Sequence, residues 1–315
     1  MKSKNIAVLY PKSQFTDIQL GRLASLGKVT FIESVSSSSL VKCPKDTELL
    51  VFSPDMVGGV SKARNRLLQL LDSLPNIKYL VLGSSDYSFL DLDYCRRRNI
   101  IVSHVPFYDA ESKAEHTIAL LLDSARRIII NDRRVYRRRY YPELGHNFRG
   151  RILGVIGIDH VGGRVVELAK ALGAAVYIYD EKTMHIEGTQ RKTLGALFGG
   201  ADMITFHLPD SEENRKLLNQ ERIKWLKKGV VIVNLSSRNL IDERAMNQAL
   251  ITRQVDTYCF ESESMGKSPL KGNEFALMFK QFSTYTKETI EENTEAMVRN
   301  IGGIVKGTQF NRLDF

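Results

Sequence analysis

Gly154-Val155-Ile156-Gly157-Ile158-Asp159-His160-Val161-Gly162-Gly163 is the stretch that decides how this chain reads. It overlaps an apolar run, Ile152–Ile156, and opens a segment of helical spacing, Gly162–Leu172. A second apolar run, Val176–Tyr179, ends in Asp180. Strand, glycine turn, helix and distal acid form the layout of a dinucleotide-binding unit. The turn lets backbone approach a pyrophosphate, the helix N-terminus holds it, and the acid takes the ribose hydroxyls. Any strand-to-helix turn favours glycine, so the glycines alone are weak; the strand, helix and acid around them make the pattern specific.

Working outward, short apolar runs alternate with helical spacing on both sides. Downstream, Ile152–Ile156, Ala175–Tyr179, Met203–Phe206, Val230–Val233 and Thr257–Phe260 read as strands, with helices at Gly162–Leu172, Asn214–Leu226 and Asp242–Ile251. Upstream, Ile6–Tyr10, Val29–Ile32, Leu49–Phe52, Tyr79–Leu82 and Ile100–Val102 read as strands, with helices at Asp17–Leu26, Ala63–Leu74 and Leu90–Arg98. A long helix, Ala110–Ile130, joins the two series, and Thr286–Gly307 closes the chain. Ser36–Ser39 reads as a loop. Such alternation predicts parallel sheets covered by helices on both faces. At 315 residues the chain outgrows one core and divides into two domains.

Composition narrows the class. Hydrophobic residues make up 43% and charged residues 26%, as in soluble globular proteins. No apolar run approaches the roughly 18 residues of a membrane span, and the N-terminal apolar run is too short for a secretory signal. Cys43, Cys95 and Cys259 show no paired spacing, so neither disulfides nor a metal site is expected, and a cytoplasmic setting is. The net charge is +9, of which residues 126–151 hold +7: nine arginines against Asp132 and Glu143. Tyr136, Tyr140, Tyr141 and Phe148 are interleaved there. Arginine among aromatics has two readings, a nucleic-acid surface and a protein interface.

The later motifs carry a resemblance. Val105-Pro106-Phe107-Tyr108-Asp109 through Leu122, Arg149 through Gly157, His207-Leu208-Pro209, Asn214 to Asn234, Leu240-Ile241-Asp242 with Ala245, and Tyr258-Cys259-Phe260-Glu261-Ser262-Glu263 resemble the signature blocks of the D-isomer-specific 2-hydroxyacid dehydrogenases. The resemblance runs over most of the chain. It implies a Rossmann-type cofactor domain, residues 103–284, inserted into a flavodoxin-like substrate domain made of residues 1–102 and 285–315. It also implies an active site in the cleft between them, NAD as cofactor, a small 2-hydroxy or 2-oxo acid as substrate, and a homodimer. Residues 126–151 then fall at the dimer interface, which favours that reading over nucleic acid.

The same resemblance assigns roles position by position. Gly157, Asp159, His160, Val161, Gly162, Asp180, Leu208, Pro209 and Ser236 fall at the cofactor, and Ser85, Asp86, Tyr87 and Tyr108 at the substrate. Asp180 favours NAD, because an acid repels a 2′-phosphate. The family's carboxylate-gripping arginine is replaced by Ser237; Arg238, one residue on, either slips into the site or points to solvent as a loop cation. Its catalytic histidine is replaced by Gln281, which cannot deliver a proton at neutral pH. Glu263 keeps the family glutamate without its partner; a buried, protonated Glu263 would itself be the acid, and an ordinary loop carboxylate is the alternative. His104, next to the hinge segment, reads as a hydrogen-bonded structural histidine.

Other departures concern charge. Asp159 stands where the family has a second glycine; a carboxylate ~4 Å from a phosphate costs up to ~4 kcal/mol at an effective dielectric near 20. An outward swing of Asp159, with His160 compensating, is the alternative. Asp86 replaces a glycine in the loop that holds the substrate carboxylate, and Tyr258 replaces the aspartate at the nicotinamide carboxamide. Fold-serving residues are kept and chemistry-serving ones are lost. The expectation is a dehydrogenase-like protein with weakened NAD binding and impaired activity; the alternative is a catalytically silent homologue used for binding or assembly.

Overall fold

The computed structural model describes residues 4–33, 43–139, 141–182, 185–262, 264–308 and 310–315. The expected loop at Ser36–Ser39 lies outside these residues, as do Tyr140 and Glu263. The chain forms two compact units, one of Met1–Tyr108 with Tyr285–Phe315 and one of Asp109–Thr284.

The first unit begins β1 (Lys4–Leu9), α1 (Asp17–Leu26), β2 (Gly27–Phe31), β3 (Leu49–Phe52), α2 (Val60–Asp72), β4 (Tyr79–Leu82), α3 (Leu92–Arg97) and β5 (Ile101–Ser103). All five strands are parallel in the order β2-β1-β3-β4-β5, the flavodoxin order. Strand period explains the two cores. Ala7 and Leu9 of β1 face Leu67, Leu70, Leu71 and Cys95 of α2 and α3, while Ile6 and Val8 face the opposite layer.

The second unit adds α4 (Ala110–Arg126), α5 (Ile128–Tyr136), β6 (Ile152–Ile156), α6 (His160–Ala171), β7 (Ala175–Tyr179), β8 (Gln190–Arg191), α7 (Leu194–Gly200), β9 (Met203–Phe206), α8 (Gln220–Ile223), β10 (Val230–Asn234), α9 (Glu243–Ile251), β11 (Val255–Glu261) and β12 (Ala276–Phe279). Its parallel sheet runs β12-β11-β10-β9-β6-β7-β8. Residues of α4 and α6 fill one face and those of α7, α8 and α9 the other. The chain then returns to the first unit as α10 (Lys287–Lys306), whose Met297, Val298, Ile301 and Ile304 complete the second core layer there. The fold is therefore a Rossmann-type unit inserted into a flavodoxin-like one.

Several elements differ from the sequence expectation. The long helix Ala110–Ile130 is broken at Arg127, which takes φ +61°. Its guanidinium turns inward to pair with Asp256 and donates to Thr257 Oγ1 at 2.7 Å, while Asp123 Oδ1 accepts from the Ile129 amide at 2.9 Å. A buried charge must be paired, and that requirement overrides helical continuity. The helix expected at Asn214–Leu226 shrinks to the four residues of α8. Its first half pairs sideways instead: Lys216 N donates to Asn239 O at 2.7 Å, Leu218 N to Leu240 O at 3.0 Å, and Asp242 N to Leu218 O at 3.0 Å. Helical spacing does not register a neighbouring segment that competes for the same backbone groups. Strands β8 and β12 and helix α7 were not read from the sequence; two residues and four are too short to show a period.

Candidate active site

Backbone geometry builds the turn between β6 and α6. Gly157 takes φ +88°, and a Cβ there would lie 2.4 Å from the His207 carbonyl oxygen, so the position requires glycine. The side chain of half-buried Leu208 packs on the same turn. Asp159 is the N-cap of α6, and its Oδ1 accepts from the Gly162 amide at 2.8 Å. That amide is one a pyrophosphate would take. The carboxylate thus folds onto the helix rather than swinging outward. Desolvation of its carboxylate raises the Asp159 pKa above the usual value, against the pull of the Gly162 amide and Lys113.

Lys113, on α4, is a residue that the sequence reading missed. It pairs with Asp109 at 2.6 Å, and its charge reaches both Asp159 and His207. No spacing rule connects it to the turn, because tertiary packing alone brings α4 there. His207 is buried, within 3.1 Å of Thr205 Oγ1, and burial pushes its pKa down to about 3. It is therefore a neutral imidazole at neutral pH.

Asp180 follows β7. Its two carboxylate oxygens accept from the Ile158 amide at 2.9 Å and the Lys182 amide at 2.8 Å, which ties the glycine turn to the neighbouring strand. His160 is exposed and Val161 half-buried in the first turn of α6. The Pro209 carbonyl accepts from Asn214 at 3.0 Å, and Ser236 Oγ donates to the Phe206 carbonyl at 2.9 Å, joining the ends of β9 and β10. The glycine turn and Asp180 fit a nicotinamide dinucleotide, while the Asp159 carboxylate already occupies the Gly162 amide.

At the ends of β10 and β11 the side chains have structural partners. Ser237 Oγ donates to Asp210 at 2.9 Å and accepts from the Asn239 amide at 3.1 Å. Arg238 donates to Glu243 at 2.6 Å, to Ser262 Oγ at 2.8 Å and to the Ser264 carbonyl at 3.0 Å, and its guanidinium stacks 5.4 Å from the Phe260 ring centre. Tyr258 is fully buried, stacked on Phe260 at 4.8 Å, and its hydroxyl accepts from Asn234 at 3.3 Å. Strand period places Tyr258 and Phe260 in the core beside α9, so the ring packs rather than presents its hydroxyl.

Gln281 is exposed, in the segment between β12 and α10. That segment is held by Glu261, which accepts from the Phe282 amide at 3.0 Å and from the Ser283 amide and hydroxyl at 2.8 Å. His116 of α4 lies 3.6 Å from Glu261 and edge-on to Phe282 at 4.7 Å; burial keeps its pKa below the usual value, against the pull of Glu261. This histidine–glutamate pair also escaped the sequence reading, since only the fold brings α4 beside β11.

In the first unit, Asp86 is exposed and its carboxylate accepts from the Ser88 amide at 2.8 Å, a local turn. Ser85 is half-buried, and Tyr87 stands edge-on to His104 at 5.3 Å. His104 is anchored through its backbone, to the Asn311 carbonyl at 3.1 Å and the Asn300 amide at 2.9 Å, and burial lowers its pKa. Tyr108 packs at the edge of the core formed by β1 and α10. Among the described residues no group of three or more His, Cys, Asp or Glu is placed to hold a metal, and no helix is long and apolar enough to cross a membrane.

Comparison with known proteins agrees with this architecture. The family described as D-isomer specific 2-hydroxyacid dehydrogenase, NAD binding domain, matches residues 118–278. A 2-hydroxyacid dehydrogenase homolog of Haemophilus influenzae is 32% identical over 231 residues, 71% of this chain and 68% of that protein. The D-lactate dehydrogenase of Leuconostoc mesenteroides is 33% identical over 174 residues, 54% of this chain and 53% of that enzyme. Among solved structures, a glyoxylate reductase from Paecilomyes thermophila superposes with a TM-score of 0.83 at 21% identity, over 99% of each chain. A D-lactate dehydrogenase from Aquifex aeolicus, complexed with NAD and lactic acid, gives a TM-score of 0.77 at 24% identity, over 96% of each chain. The structural likenesses speak to the fold, and the sequence matches go further: this chain belongs to the D-isomer specific 2-hydroxyacid dehydrogenase family.

Proposed function

We propose that this protein is an NAD-type member of its family, directed at a small 2-oxo or 2-hydroxy acid, in which the family's reduction is strongly impaired. The observation that carries the proposal is the state of Arg238. Its guanidinium is held by Glu243, Ser262, Ser264 and the face of Phe260, so the cation nearest the expected position already has partners. Gripping a carboxylate would require breaking a part-buried ion pair, and Ser237 offers no charge in its place.

A bound nicotinamide would supply the hydride. The chain's own residues would have to bind the acid, orient it and deliver one proton. Ser85 and Tyr87 remain as neutral contacts for the substrate, with Tyr108 as a wall, whereas Asp86 repels an anion. Gln281 is able to hydrogen-bond a carbonyl but has no proton to give. Glu263 is left as the acid. Asp159 weakens cofactor binding, and Lys113 offsets part of its charge. Gly157, Gly162, Asp180, Leu208 and Ser236 hold the turn and the strand ends against which a dinucleotide lies.

A second reading, a silent homologue kept for assembly, rests on a different observation. α5 and the segment after it expose Ile128, Val135, Tyr136 and Leu144, the last two at 85% and 87%. Among the described residues, Arg127, Arg134, Arg137 and Arg151 of the stretch 126–151 are paired with acids. Pairing lowers the charge that nucleic acid would require, and apolar exposure fits a homodimer face. Turnover of a panel of 2-oxo acids with NADH tests the first reading. The expected rate is at least about a thousandfold below ordinary enzyme values of 1–10³ s⁻¹; ordinary turnover would refute it. Sedimentation of the full chain reads the homodimer separately.

A further inference from the structure

We propose that the first unit carries a binding site for a small aromatic phosphate monoester, in the groove where α1, β2 and α10 meet. The groove has a volume of about 870 Å³, within the range of small-molecule sites. Four cations line it: Arg22 of α1, Lys28 of β2, and Arg299 and Lys306 of α10. None of its lining residues is acidic. The nearby Glu295 is taken by Arg22 at 2.7 and 2.8 Å and by Gln19 at 3.4 Å. Lys28, Arg299 and Lys306 have no ion-pair partner among the described residues.

Helix ends oppose an anion here but do not outweigh the cations. The last turns of α1 and α10 both reach the groove, and each helix C-terminus brings about half a negative charge. With Glu295 counted, the locality keeps a charge of about +2. Guanidinium groups offer the planar fork that matches phosphate, and lysines add point charges.

The floor supplies a second kind of contact. Leu26 and Phe310 present apolar surface beside the cations, with the buried Val298 beneath them. Phe310 is 45% exposed, so one part of its ring is covered and another is open. Its seat is built: α10 ends at Gly307, φ +82°, the Thr308 amide returns to the Gly303 carbonyl at 2.8 Å, and the Phe310 ring folds back onto Gly303. A Cβ at Gly303 would lie 2.6 Å from that ring, so a side chain there would unseat it. An aromatic body on Phe310 with a phosphate among the cations meets both halves of the groove. The site lies wholly within the first unit, and the proposal does not depend on the family's reaction.

The test is an AMP titration of the full-length chain, followed by amide chemical shifts and by calorimetry. The expected shifts fall at Lys28, Gly302, Gly303 and Thr308; shifts confined to Gly157–Gly162 would mean that AMP enters the dinucleotide turn alone and would overturn the proposal. R299Q/K306Q, two exposed changes, should weaken the groove's affinity for AMP at least about tenfold, equivalent to 1.4 kcal/mol; an unchanged affinity overturns it. Inorganic phosphate should need at least about tenfold higher concentration than AMP to compete. Equal competition would show that the ring adds nothing and would overturn the assignment of ligand class.

Discussion

The β6–α6 turn and the β10–β11 edge belong to one sheet, and the sequence departs from the family pattern in both. At the turn the departure leaves the architecture intact. Gly157 still carries its positive φ, Asp180 still ties the turn to its neighbour, and Asp159 has become a helix cap. At the edge the departures have been absorbed into packing. Tyr258 has joined the core, Ser237 caps a short turn, and Arg238 donates to Ser262 and to the Ser264 carbonyl. The difference teaches that residues fixed by backbone geometry persist because the fold needs them. Side chains that no backbone geometry fixes are free to take other partners, as Ser237, Arg238 and Tyr258 do.

Gly157→Val breaks the comparison most severely. A branched side chain at φ +88° meets a carbonyl 2.4 Å away, and strain plus overpacking should remove about 3 kcal/mol or more. Urea unfolding of the full chain reads it; a loss below about 1 kcal/mol would mean that the turn is not fixed by backbone.

Acid should sharpen it next. His207 is neutral when folded, with its pKa lowered from 6.5 to about 3 by burial. A depressed base means that the unfolded chain binds more protons between those values. The stability that it contributes is complete above pH 6.5 and is lost as pH falls toward 3, by at most about 1.4 kcal/mol per pH unit. Thermal unfolding across that window checks the slope, and His207→Gln should flatten it.

Arg238→Ala should have the smallest of these effects, about 1–3 kcal/mol, through loss of charged hydrogen bonds to Glu243 and Ser262. Stability should fall with no change in any residual 2-oxo acid reduction. If activity disappears while stability holds, the edge is still chemical and the contrast with the turn fails.

How much of this was legible in the sequence follows the same division. Strand and helix alternation, the glycine turn and Asp180 were readable, because period and turn chemistry are local. The α4 break was not, because Asp256 and Thr257 pull Arg127 inward from a distant strand. Lys113 and the His116–Glu261 pair were hidden for the same reason. The cationic groove was hidden by arithmetic. Outside residues 126–151 the chain is only +2, since acids elsewhere cancel four cations that the fold gathers at one place.

In the proposed reading, the dinucleotide fold survives while Asp159 obstructs its phosphate-binding end. Titration of NADH into the wild-type chain and into Asp159→Gly, by calorimetry, tests it most directly. The expected wild-type dissociation constant is above about 100 μM, with a gain of at least about tenfold in the variant, 1.4 kcal/mol or more. Wild-type binding at about 1 μM, unchanged by the substitution, would contradict it.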